Sequence, residues 1–139
     1  MKKVLIFGTF DIVHAGHIHM FKEAREYGDC LVVSVAKDVN AEKIKGKAPF
    51  YNEHERVDFL KNIKIIDEVL MGDANDPYKN INTVKPDVIA LGYDQKVYVD
   101  HLEDAITNMG LEIQIVRLAP YYEKRFKSKK LKKYIERIV

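Results

Sequence analysis

The chain predicts a doubly wound α/β fold, a parallel five-stranded sheet with helices on both faces. Three observations lead there: five short apolar, β-branched runs recur along the chain, stretches of helical period separate them, and the links are short. With 139 residues there is length for one domain with a substantial core, so residues 1–139 are expected to form a single unit.

The first strand is expected over Lys3 to Phe7, after which GTFDIVHAGH occupies residues 8–17. From Ile18 to Tyr27 the period sets Met20, Ala24 and Tyr27 on one face, and Gly28 stands where a helix would end. Cys30 to Val35 reads as the second strand, with the chain's lone cysteine as a small buried hydrophobe. KDVNAEKIKGKAPFYNEHER, 37–56, is polar and holds Gly46 and Pro49, which predicts a long working loop.

Val57 and Leu60 give Glu53 to Ile63 a helical stripe, and Glu68 to Met71 follows as the third strand. Val88 to Leu91 is the fourth, Val97 to Met109 a helix ending at Gly110, and Glu112 to Val116 the fifth strand. Most of these runs are almost continuously apolar, as strands covered on both faces are. The tail KRFKSKKLKKYIERIV, 124–139, has eight Lys or Arg residues but spaces Leu131, Tyr134 or Ile135, and Ile138 as an amphipathic helix does.

Open parallel sheets bind ligands beyond the carboxyl ends of their strands, near the point where strand order reverses. Segments 8–17, 36–47, 72–76, 92–96 and 117–128 should therefore share one rim. The net charge of +2 gives no reason to expect nucleic acid, and no apolar run reaches the roughly 18 residues of a membrane span. A lone cysteine fits a reducing compartment, and the first residues enter a strand pattern rather than a signal peptide; a cytoplasmic protein is expected.

Within 8–17, Gly8 allows a close approach to the backbone, and Thr9 offers a hydroxyl and an amide at the turn. A helix beginning near Ala15 or Gly16 points free N–H groups into the crevice, which favours an anion, phosphate above all. His14 and His17 stand three apart beside that end. Such a pair also suits metal ligation or simple capping, but zinc wants further ligands, and His19, His54 and His101 do not cluster with them in sequence. No dedicated metal site is expected. Asp11 reads either as a turn-holding acceptor or as a partner of a hydrated magnesium ion.

GTFDIVHAGH resembles the signature GTFDxxHxGH of the cytidylyltransferase-like nucleotidyltransferase superfamily, whose members share a Rossmann-like nucleotidylyltransferase fold. That resemblance implies transfer of a nucleotidyl group from a nucleoside triphosphate to a phosphate ester, with His14 and His17 donating to the phosphates, and Gly8, Thr9 and Phe10 at the nucleotide. It further implies that Lys45 and Lys47, in IKGKAPFYNEHER, reach phosphates, with Lys47 catalytic and Gly46 letting the loop fold over them. Exposed lysines on a loop otherwise only solvate it. Arg56 is a weaker candidate, since a surface ion pair with a neighbouring Glu explains it as well.

In LGYDQ, 91–95, Gly92 and Asp94 are implied at the base and ribose, although both residues are common in turns. Ser128 fits the N-cap of the last helix, and with Arg125 is implied at the terminal phosphates. Lysines stand there where relatives have further hydroxyls. The divalent cation implied by the family, Mg²⁺, is held largely by the triphosphate itself.

Compact length, PDVIALGYDQ and the KS-containing basic last helix are most similar to archaeal-type FAD synthases, which join AMP from ATP to FMN. Glycerol-3-phosphate cytidylyltransferases, which use CTP, share the motif but usually show RTxGIST where this chain reads RLAPYYEKRFKS. A non-catalytic nucleotide-binding module is the alternative of another class. The resemblance also leaves room for a homodimer.

Overall fold

The computed structural model describes residues 1–96, 99–120 and 128–138, the side chains of 128, 129 and 138 excepted. Its elements in chain order are β1 (Lys3–Gly8), α1 (Ala15–Arg25), β2 (Cys30–Val35), α2 (Asp38–Lys45), α3 (Glu53–Lys61), β3 (Glu68–Met71), α4 (Lys79–Val84), β4 (Val88–Leu91), α5 (Leu102–Asn108), β5 (Gln114–Arg117) and α6 (Ser128–Ile138). The five strands pair in parallel in the order β3-β2-β1-β4-β5. After β3 the chain returns past β1 to lay down β4, so the order reverses between β1 and β4. A crevice opens at such a reversal.

Alternation along the strands divides the core. Val4 and Ile6 of β1, with Leu31, Val33 and Val35 of β2, face Phe21 and Ala24 of α1 and Leu60 of α3. Leu5 and Val32 face the other way, onto Ile81 and Val84 of α4 and Leu102 and Ile106 of α5. Both faces of the sheet are thus covered, which is why β1, β2 and β4 are apolar at almost every position.

Several expectations change. The stretch expected as a loop, 37–56, contains the eight-residue helix α2, which buries little apolar surface beyond Ala41 and ends at Gly46 in the left-handed conformation, φ 80°. Gly46 thus terminates a helix. α4 was not expected at all, and the residues of 97–109 that are helical are Leu102–Asn108. α1 begins at Ala15 and buries Phe21 and Ala24, while Tyr27 lies beyond its end. Gly28 is bare because a Cβ there would lie 2.6 Å from the Lys2 carbonyl oxygen, a close approach of two chain segments.

Candidate active site

A cavity of about 550 Å³ occupies the crevice at the carboxyl ends of the strands. Gly8, Thr9, Phe10, His14, His17, Lys45, Gly92 and Asp94 all line it. Lys47, beyond the end of α2, does not; of the two lysines, Lys45 on the last turn of α2 is the one that lines the cavity. Arg125 lies outside the described residues, as does the side chain of Ser128.

The two histidines cap α1 reciprocally. His14 is the N-cap, its Nδ1 accepts from the Gly16 N–H at 3.1 Å, and its own N–H donates to His17 Nδ1 at 3.2 Å. A backbone N–H can only donate, so both Nδ1 atoms are unprotonated acceptors. In the neutral rings the proton then sits on Nε2. This is the capping-box arrangement with imidazoles in place of the usual hydroxyl and carboxylate.

Burial keeps the rings neutral. Desolvation, then the charges of His14 and Lys45, lower the His17 pKa to about 3, and desolvation lowers that of His14. The rings sit 4.0 Å apart between centroids, and Phe10 meets His17 edge-on at 5.7 Å. In the unfolded chain His17 titrates near 6.5, so folding excludes a proton below that value. Stability is fully present above about pH 6.5 and falls as pH drops toward 3, by up to about 1.4 kcal/mol per unit. His14 acts in the same direction. His17→Gln is expected to flatten the slope in that window, which urea unfolding at a series of pH values measures.

Gly8 has a reason to be bare other than the one expected. A Cβ there would sit 2.6 Å from two atoms of the Phe10 ring, so the ring, rather than a ligand, takes the space against this backbone. Phe10 itself has φ 52°, a strained left-handed conformation for an aromatic residue, and its ring is packed against Phe21. At Gly92, by contrast, a Cβ would meet only ordinary contacts, with Met20 Sδ at 3.7 Å. The turn after β4 is held instead by Arg117, whose Nη1 donates to the carbonyls of Gly92 and Gln95, and by Gln95 Oε1, which accepts from the Gly92 N–H.

Asp11 accepts backbone N–H groups as a turn-holding residue would, but the backbone it holds is distant in sequence and not its own turn. Its carboxylate accepts from the N–H groups of Phe50 at 2.8 Å and Tyr51 at 2.9 Å, and from Lys132 Nζ of α6. Burial alone would raise its pKa; the hydrogen bonds from Lys132, Tyr51 and Phe50 outweigh burial and hold it below the usual carboxylate value. Lys132 also faces Lys45. Desolvation first, and then Lys132, lower the Lys45 pKa, while Asp11 and Asp94 act in the opposite sense.

Arg56 is not a surface residue. It is 1 % exposed, with Nη1 on the Thr9 carbonyl at 2.7 Å, Nε on the Tyr51 carbonyl at 3.0 Å and Nη2 on Asp38 Oδ1 at 2.8 Å. Thus Arg56 and Asp11 together tie the motif loop, the start of α2 and the 50–51 segment into one wall. Sequence reading missed Lys132, Asn40 and Ser34 at this site. Nothing local marks them, since Lys132 is one of several lysines in the tail and the other two are single polar residues in otherwise ordinary segments.

Among the described residues no group of three or more His, Cys, Asp or Glu is placed to hold a metal ion, and no helix is long and apolar enough to cross a membrane.

Residues 5–134 match the family described as cytidylyltransferase-like. The chain is similar to a FAD synthase of Thermoplasma volcanium, 38% identical over all of this chain and 97% of that protein, and to a FAD synthase of Pyrococcus horikoshii, 41% identical over 98% and 91% respectively. Among solved structures it is similar to a lipopolysaccharide core biosynthesis protein from Thermoplasma volcanium, with TM-score 0.81 and 41% identity over 87% of this chain and 98% of that one. A pantoate-beta-alanine ligase from Francisella tularensis shares the fold alone, with TM-score 0.56 and 13% identity over 97% and 69%.

Proposed function

The chain belongs to the cytidylyltransferase-like family and is a nucleotidyltransferase, and from that premise we propose that it joins AMP from ATP to FMN, giving FAD and pyrophosphate. FAD is FMN linked to AMP, so the name of the relatives supports ATP and FMN as the two substrates. An oxygen of the FMN phosphate attacks the α-phosphorus of ATP, that P–O bond forms, and the bond to the β-phosphate oxygen breaks. Pyrophosphate leaves in line.

The observation that supports this chemistry most strongly is the reciprocal cap of His14 and His17. It leaves each ring with one proton, on Nε2, at the positive end of α1 and beside the cavity. Such donors stabilise charge developing on the phosphates without themselves exchanging protons. Lys45 supplies a cation to the same cavity, and we assign it the part expected of Lys47. Gly92 and Asp94 line the part of the cavity where the nucleoside would lie.

Scattered carboxylates such as Asp73 and Asp94 fit a magnesium ion that is bound mainly by phosphates and keeps its water, rather than one in a protein cage. Bound this way, the cation offsets phosphate charge. The remaining work of alignment and charge stabilisation falls to the protein's own side chains.

The test is pyrophosphate release with Mg²⁺ and either ATP with FMN or CTP with glycerol 3-phosphate. Release with the first pair is expected. Release only with the second would replace FMN by an alcohol phosphate, and none with either, despite nucleotide binding, would indicate a binding module.

A further inference from the structure

The cavity wall beyond β2 holds two hydrogen-bonding groups that the phosphate chemistry does not use. Asn40, in the first turn of α2, is 8 % exposed and lines the cavity. Its Nδ2 donates to the Ala74 carbonyl at a long 3.3 Å, which identifies the other amide atom as the oxygen. That oxygen is buried and has no hydrogen-bond partner among the described residues.

Ser34, near the end of β2 and 4 % exposed, lines the same cavity. Asn80 Nδ2 donates to its Oγ at 2.7 Å and to the Met71 carbonyl at 2.9 Å. Oγ is thus fixed as an acceptor toward Asn80, and the hydroxyl proton finds no acceptor among the described hydrogen bonds. The wall therefore offers one unspent acceptor and one unspent donor. A buried amide oxygen with no partner, as at Asn40, is uncommon enough in native proteins to call for one, whereas Ser34 Oγ already has Asn80 and has only its proton to offer.

We infer that Asn40 and Ser34 read the ring of the acceptor: Asn40 Oδ1 accepts from a ring imide N–H, and the Ser34 hydroxyl donates to a ring carbonyl. This rests on the flavin reading above. The pyrimidine edge of a flavin presents carbonyl, N–H and carbonyl in a row, which matches a wall that both accepts and donates. Phosphate does not match, because it brings only acceptor oxygens and negative charge, and Asp73 lies along the same wall. Ala36, Ile44 and Pro77 supply apolar surface there for a flat ring.

The side-chain torsion that turns the Asn40 amide is soft, and the Ala74 bond that opposes the turn is long. A ring laid against the wall can therefore draw the oxygen out. The phosphates of both substrates then lie toward His14, His17 and Lys45, and the ring lies toward β2. Asn40 and Ser34 are specificity-determining residues in this arrangement.

The experiment compares FMN with N3-methyl-FMN, which lacks the ring N–H, using wild type, Asn40→Ala and Ser34→Ala, with KM, kcat, ATP affinity and Tm recorded for each. Wild type is expected to favour FMN about tenfold or more in KM. Asn40→Ala should lose that preference with ATP affinity unchanged, and Ser34→Ala should weaken both flavins about equally. FAD formation by wild type without discrimination, or discrimination surviving in Asn40→Ala, overturns the subsite and leaves the proposed reaction standing. No FAD from ATP and FMN overturns both. If Asn40→Ala proves too unstable to assay, Ser34→Ala decides: unchanged KM for both flavins overturns the pair.

Discussion

His17→Ala is expected to lower turnover by roughly 100 to 1,000-fold while ATP affinity changes only a few-fold. The ring donates from Nε2 to charge that grows as the α-phosphorus is attacked, so its loss weighs on the transition state more than on the bound ground state. A second effect accompanies the first. His17 Nδ1 accepts the His14 N–H, so alanine also removes half of the α1 cap, worth about 1 kcal/mol of stability. Glutamine is a favoured residue at this position of a capping box and can restore the acceptor. Thus His17→Gln should recover most of the stability and little of the rate. Steady-state kinetics, nucleotide titration and thermal unfolding of the two variants separate the roles, and equal loss of kcat and ATP affinity in both would contradict a transition-state role.

Arg56→Met is expected to cost about 3–5 kcal/mol of stability, lowering Tm by roughly 10 °C or more. The guanidinium is buried, and removing it strands the Thr9 and Tyr51 carbonyls. Asp38 also loses its partner, but that carboxylate is partly exposed, and water recovers some of the loss. Most of the cost therefore comes from the carbonyls and the lost fit of the side chain. Lysine keeps the charge without the fork that serves three acceptors, so Arg56→Lys should fall between wild type and Arg56→Met. A stability within about 0.5 kcal/mol of wild type in Arg56→Met would remove Arg56 as the tie between the motif loop and α2.

The strands were legible because the sheet is covered on both faces: β2, β3 and β4 stand where the apolar runs stand. The site motif was legible because its residues are contiguous. α2 was not, since DVNAEKIK has no apolar stripe and its start is held by partners far along the chain, Arg56 on the Asp38 side chain and Glu53 on its N–H. Asp11 shows the same limit. Its type suits a turn, but the partners it holds lie 39, 40 and 121 residues away. At Gly8 the Phe10 ring lies where a Cβ would, and a bare Cα looks the same in sequence whether a ligand or a ring takes that space.

Acceptor and base together are the central claim, and one competition tests them directly. ATP, CTP, FMN and glycerol 3-phosphate are mixed at equal concentration with Mg²⁺ and the protein, and the products are identified by mass. FAD as the dominant product is the result this account predicts, whereas CDP-glycerol, or the cytidine analogue of FAD, in its place would contradict it.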